Sequence, residues 1–461
     1  MDATDLAYAG AARQARLIAT GEVSAREVVS ATLERIERLD PDLAAYRVVL
    51  AEQALTEADQ ADARRRAGDT RPLLGVPVAI KDDTDVRGVP TMRGTAASDP
   101  APAADDAEVV RRLRAAGAVI VGKTSVPELM IWPFTEPPGL PPSRNPWSRE
   151  HTPGGSSGGS GAAVAAGLCG VALGTDGAGS IRIPAAFCGV FGIKPQRGRV
   201  PLAQGASGGW HGMNVAGPLA RTVADAALFL DAVADGVPEG GFSAAAAREP
   251  GRLRIAVSTK MPPGVAARLR RAQRDAVATI ADVLRGLGHE VFDREIAYGA
   301  SGAANVFSRY LRGIHDEAAA LAHPDRLSAR TRGMARRGGL IPSAALARAR
   351  AGEPAVAARV NAVLATADAV LLPGPTGPPF RIGELDGRGA DRTLNAAAGR
   401  VAYYGAFNAT GQPACSVPAG FDGDGLPLAV QLAGRPHDEA TLLALSAQLE
   451  AARPWADRRP L

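Results

Sequence analysis

Residues 153–195, PGGSSGGSGAAVAAGLCGVALGTDGAGSIRIPAAFCGVFGIKP, hold the densest set of groups in this chain that could do chemistry. Hydroxyls at Ser156, Ser157, Ser160 and Ser180 sit among glycines, as where a backbone bends sharply or approaches a ligand. A flexible Gly/Ser linker has the same composition. Two features argue against a linker: apolar helix-like and strand-like segments flank the glycines on both sides, and Asp176 and Arg182 bracket the turn Gly177–Ser180. Lysine is the second signal. Of 52 lysines and arginines only four are lysine: Lys81, Lys123, Lys194 and Lys260. In a chain that otherwise uses arginine for positive charge, a retained lysine raises the question of whether its position needs a group able to release a proton.

The elements around these residues alternate. Ser24-Ala-Arg-Glu27 forms a capping box ahead of a helix carrying Val28, Val29, Leu33 and Ile36, and residues 4–67 read as a helical segment. Short strands are expected at Val76–Ile80, Ala118–Val121, Val171–Gly174, Leu253–Ser258, Ala369–Leu372, Cys415–Pro418 and Leu428–Leu432. Helices are expected at Asp106–Ala116, Gly161–Gly167, Thr222–Asp235, Pro263–Leu287, through much of 304–372 and at 437–451. This alternation favours an α/β layered architecture. There is no internal repeat, and the one linker candidate, 236–250, is short, so residues 1–461 read as one domain with the segment 4–67 packed on it.

The blocks GGSSGGSGAAVA (154–165), GTDGAGSIRIPAAFCGVFGIKP (174–195) and GVPVAIKDDTDV (75–86) resemble the motifs of the amidase signature family. VGKTSVPELM (121–130), RNPW (144–147) and ATGQPACSVPAGFDGDGLPLAVQLAGRP (409–436) agree with it in the same order. The resemblance implies a single large α/β domain with a twisted mixed sheet covered by helices on both faces. It implies a serine amidase in which Ser180 is the nucleophile, Ser156 a bridging serine after a cis peptide bond, and Lys81 the base. An acyl-enzyme would form and ammonia or an amine would leave. Backbone N–H groups across Gly177, Ala178, Gly179 and Ser180 would hold the oxyanion, Ser157, Asp176 and Arg182 would support the turn, and the Met130 backbone would touch substrate. The family has glycine at 178; an alanine there still donates its N–H but is strained if the position needs positive φ.

The chemistry is coherent on physical grounds. Serine attacks an amide only with a base within hydrogen-bond reach, and lysine is a base only when neutral. Lowering its pKa from about 10.4 to about 7 takes roughly 4 kcal/mol, which desolvation behind the apolar strand VPVAI can supply. The competing reading of Lys81 is a surface lysine paired with Asp82 or Asp83. The expected ligand is a small-molecule amide, with no cofactor and no metal, and a homodimer is left open. The alternative function is the glutaminase subunit of a tRNA-dependent amidotransferase, whose partner subunits would hold the RNA. Trp132, Phe134, Trp210, Met213 and the segment 300–345 are candidates to line an acyl pocket, with core packing as the equal alternative.

Other patterns fail on context. Gly117–Thr124 fits the phosphate-loop pattern GxxxxGK[ST], yet its middle, AVIV, is strand-forming and Pro127 obstructs the helix that should follow. Gly155-Ser-Ser157-Gly-Gly159 fits GxSxG, but no strand precedes it, and His437, the later histidine such a triad needs, opens the last helix as a surface position would. The six histidines and three cysteines show no metal-ligand spacing. Three scattered cysteines argue for a reducing compartment. No run approaches the roughly 18 apolar residues of a membrane span, and the first twenty residues mix acids and bases without an apolar core. The expectation is a cytoplasmic protein. A net charge of +4 is spread thinly, without aromatics among the arginine clusters, so direct nucleic-acid binding is not expected.

Overall fold

Apolar residues recur at every second position along the central strands, and the computed structural model, which describes residues 2–202 and 208–461, shows where each side goes. Val78 and Ile80, Val171 and Leu173, Ala369 and Leu371, and Val430 and Leu432 enter one core layer. Their neighbours face the other way, Ala79 and Ala172 into one cluster and Val370, Leu372, Ala414 and Ala433 into another. A sheet buried on both faces needs helices on both. Helices Glu108–Ala115, Val223–Val233, Arg271–Gly286 and Glu439–Ala452 cover the first face. Helices Ala25–Leu43, Gly158–Ala165 and Glu353–Asn361 cover the second.

The strands are β1 (Tyr46–Val49), β2 (Pro77–Lys81), β3 (Val119–Thr124), β4 (Val171–Asp176), β5 (Phe191–Lys194), β6 (Val215–Ala220), β7 (Arg254–Val257), β8 (Glu290–Asp293), β9 (Ala369–Pro373), β10 (Ala414–Phe421) and β11 (Pro427–Gly434). They form one sheet of 11 in the order β1-β3-β2-β4-β6-β5-β10-β11-β9-β7-β8. β3, β2 and β4 run parallel, as do β9, β7 and β8, with antiparallel pairings between and at β1. The sheet is therefore mixed, as expected. Because β2 and β4 are parallel neighbours, their C-terminal residues Lys81 and Asp176 lie at the same carboxyl ends of the strands, outside which ligands bind in open α/β folds.

Local expectations mostly hold. Glu27 N–H donates to Ser24 Oγ at 3.1 Å and the Glu27 carboxylate accepts from Ser24 N–H at 2.7 Å, completing the capping box. Lys123 and Thr124 of the phosphate-loop pattern lie inside β3, which pairs with β1 and β2, and Lys123 is buried in an ion pair with Asp82 at 2.9 Å. The helix expected from Pro263 begins only at Arg271. Pro262, Pro263 and Gly264 (φ +81°) hold the preceding segment out of helix. Among the described residues no helix is long and apolar enough to cross a membrane.

Candidate active site

Lys81 ends β2 with its side chain wholly buried. Its Nζ donates to Ser156 Oγ at 2.8 Å, to Thr175 Oγ1 at 2.7 Å and to the Thr175 carbonyl at 3.3 Å. Asp83 Oδ2 lies 3.4 Å from the same nitrogen and accepts a hydrogen bond from the Thr175 hydroxyl. Burial pulls the Lys81 pKa below its ordinary value, outweighing the opposite pull of Asp83. The surface-lysine reading is thus corrected. Asp82 is engaged by Lys123 and Arg47, and the carboxylate beside Lys81, that of Asp83, is itself nearly buried.

The peptide bond Gly155–Ser156 is cis, and Ser156 is buried. Ser157 ties this segment to β4: its Oγ donates to the Thr175 carbonyl at 3.2 Å and accepts from Thr175 N–H at 3.3 Å, while its N–H donates to the Ser180 carbonyl at 3.1 Å. The glycines here serve close approach. A Cβ on Gly155 would collide with the Trp132 carbonyl oxygen, and one on Gly159 with that of Ala45. Ser157 of the GxSxG pattern is therefore an internal fastener, and His437 is exposed on the surface.

Ser180 follows β4 through the turn Gly177–Gly179 and remains 8% exposed, on the wall of a cavity. No hydrogen bond joins the Ser156 and Ser180 side chains here. The structure thus unites Lys81 with Ser156 and sets Ser180 in the adjacent turn. Gly179 takes the positive φ, +118°, and Ala178 does not, so the alanine carries no such strain. Gly179 N–H donates to Asp176 Oδ1 at 2.6 Å. Of the four N–H groups expected to hold an oxyanion, that of Gly179 is thus engaged by Asp176 in this structure.

Asp176 and Arg182 brace the turn from beneath. They form a wholly buried ion pair at 2.9 Å, and Ile181 N–H donates to Asp176 Oδ2 at 3.2 Å. The Arg182 guanidinium also donates to Asn408 Oδ1 at 2.7 Å and Gln431 Oε1 at 2.6 Å. Burial alone would push the Asp176 carboxyl up, but the charge and hydrogen bonds of Arg182, with Asn408 and Lys194, hold it well below the usual carboxylate range. Asp176→Asn leaves a buried guanidinium without its counter-charge, and about 3–5 kcal/mol of stability is expected to be lost, read as a lowered urea midpoint. Thr175, Asn408 and Gln431 escaped sequence reasoning, whereas Asp83 was named there as one of two acids that could pair with Lys81. Of the three that escaped, only Thr175 carried a signal, its place one residue before the bracketed turn.

The cavity beside Ser180 has an empty volume of ≈ 1040 Å³ counted out to solvent at its mouth. Met130 (φ +58°), Trp132 and Trp210 line it. Phe134 and Met213, also expected there, lie instead in the aromatic cluster behind. Helix Gly299–Ala319 supplies Val306, Phe307 and Tyr310, as the segment 300–345 suggested, and residues 394–409 supply a wall that was not expected. Among the described residues no group of three or more His, Cys, Asp or Glu could hold a metal ion.

Comparison with known proteins places this geometry among relatives. A family model described as Amidase matches residues 27–443. The chain is 56% identical to AmiB2 of Mycobacterium tuberculosis, whose name puts it among amidases, over 100% of this chain and 99% of that one. It is 35% identical to a 6-aminohexanoate-cyclic-dimer hydrolase of Pseudomonas sp. NK87, over 100% and 98%. The solved structure of a 6-aminohexanoate cyclic dimer hydrolase with its substrate superposes with a TM-score of 0.91 at 33% identity, covering 98% of this chain and 99% of that one.

Proposed function

Since the chain belongs to the amidase signature family and is a hydrolase of carbon–nitrogen amide bonds, we propose that it works through Ser180, Ser156 and Lys81 with an acyl-enzyme intermediate. The observation that carries this reading is the buried Lys81 Nζ, 2.8 Å from Ser156 Oγ, in surroundings that favour its neutral form. Ser180 Oγ bonds to the amide carbon as its proton passes to Ser156 Oγ and the Ser156 proton passes to Lys81. The carbonyl electron pair moves onto oxygen, which the N–H groups of Gly177, Ala178 and Ser180 receive. The pair then returns, the C–N bond breaks, and the departing amine takes a proton back along the same path. Water next attacks the ester by the same steps and frees the acid. The bond from Ser180 to Ser156 is of the catalytic kind that often tightens only with substrate bound.

The glutaminase alternative has less support. Glutamine carries an ammonium and a carboxylate, and no charged side chain lines the cavity among the described residues. The proposed ligand is a neutral small-molecule amide. Three buried, unpaired cysteines support a cytoplasmic enzyme. The test is labelling of the chain, purified alone, with an alkyl fluorophosphonate, followed by peptide mapping and an anilide assay. An adduct on Ser180 and hydrolysis without any partner are expected. An adduct on Ser157, or activity only with added subunits, would reject the reading.

A further inference from the structure

Neither backbone nor packing requires a glycine at position 302. Gly302 lies within helix Gly299–Ala319 in ordinary helical conformation, where glycine weakens a helix relative to alanine. A Cβ there would meet one atom beyond its own helix within 4 Å, Val356 Cγ1 at 3.7 Å, an ordinary van der Waals contact. Gly302 and Val356 both line the cavity beside Ser180, and Val356 is buried. A side chain at 302 would therefore leave the helix on the cavity side, and its absence is open space in the cavity.

The helix fixes where that space lies relative to Ser180. Gly302, Ala303, Val306, Phe307 and Tyr310 all line the cavity, and their spacing puts them on one helix face. Tyr310 marks the end near the nucleophile turn. Its ring packs edge-on against Trp210 at 5.2 Å, and the Trp210 ring lies so close to Gly177 that a Cβ on Gly177 would collide with it. Gly302 lies two helical turns further back, about 12 Å at 1.5 Å per residue, roughly the reach of an extended alkyl chain of eight to ten carbons. The lining from residues 394–409 presents only leucine, valine, alanine and glycine. In the serine-amidase reading the acyl group stays on Ser180 through both chemical steps, whereas the amine leaves after the first. An apolar slot beside Ser180 suits the half that stays.

We propose that the acyl half of the substrate is an extended apolar chain lying along this helix face, and that Gly302 determines how long a chain the slot admits. Amides of medium-chain aliphatic acids form the substrate class. The inference rests on the serine-amidase reading of the same site.

The experiment measures kcat/KM for p-nitroanilides of butanoic, hexanoic and octanoic acids, beside a second series of acetamides carrying N-butyl, N-hexyl and N-octyl groups. Wild-type enzyme is expected to gain about threefold per methylene on the acyl side, roughly 80-fold from butanoyl to octanoyl, as each added group leaves water. The amine series should gain less than about threefold across the same lengths. In Gly302→Leu the octanoyl-to-butanoyl ratio should fall to about three or less, and Gly302→Ala should lie between that and wild type. Wild-type enzyme with no gain beyond butanoyl, or with the gain in the amine series instead, overturns the proposal without any variant. So does a wild-type octanoyl preference that survives in Gly302→Leu enzyme still labelled at Ser180. Should the leucine variant not fold, an alanine variant with the wild-type ratio overturns it equally. Failure of the underlying reading looks different: no anilide is cleaved and fluorophosphonate leaves Ser180 unmodified.

Discussion

Ser180→Ala is expected to lower amide turnover by about 10⁶-fold, the loss typical when a serine nucleophile is removed, and to eliminate the fluorophosphonate adduct. The substitution deletes one oxygen from a side chain at the cavity wall, and the Asp176–Arg182 pair that shapes the turn is untouched. The thermal midpoint should therefore stay within a few degrees of wild type, separating lost chemistry from lost folding. Steady-state assay and differential scanning fluorimetry on the same preparation give both answers. A variant retaining more than a hundredth of the wild-type rate would place the nucleophile elsewhere.

Lys81→Ala is expected to lower kcat/KM at pH 7 by about 10³–10⁴-fold, at the upper end of what general-base catalysis contributes. Partial recovery should appear as pH rises and hydroxide takes over the proton. The wild-type profile should behave differently, climbing as pH rises through the lowered Lys81 pKa and then levelling, because only the neutral amine accepts the serine proton. Stability shares the sign. Between that lowered value and the ordinary one of about 10.4 the unfolded chain binds the extra proton, so raising pH through this window stabilises the fold. Alanine takes the amine away from Ser156, Thr175 and Asp83 and opens space; Lys81→Met keeps the bulk and should show the same kinetic loss with a smaller change in unfolding midpoint. Full activity of either variant at pH 7 would remove Lys81 from the mechanism.

What could be read from the chain divides along physical lines. Elements with a strong period were legible: β2, β3, β4, β9, β10 and β11 lie within a few residues of where alternation and apolar runs put them. The strands missed, β1, β5, β6 and β8, are short or interrupted by glycine and proline, as in FGIK and VAGPLA, so local preference is too weak to mark them. The three expected site residues were legible because their motifs are contiguous. Their support was not. Asp83 is named beside Lys81 only as an alternative to Asp82 until the fold sets it beside Thr175, and Asn408 and Gln431 lie 226 and 249 residues beyond Arg182 in sequence. Such partners are chosen by the topology of the sheet, which no local pattern encodes.

That topology governs when Ser180, the proposed nucleophile, can become competent. β10 and β11 occupy the middle of the sheet although they come near the end of the chain, and Asn408 and Gln431, which grip Arg182 beneath the nucleophile turn, arrive with them. A ribosome releasing this polypeptide has already exported Ser180 and Lys81 more than 200 residues earlier, yet the clamp under the turn closes only after those late strands slot into place. The serine proposed as nucleophile thus gains its support only once residues more than 200 positions beyond it have joined the fold.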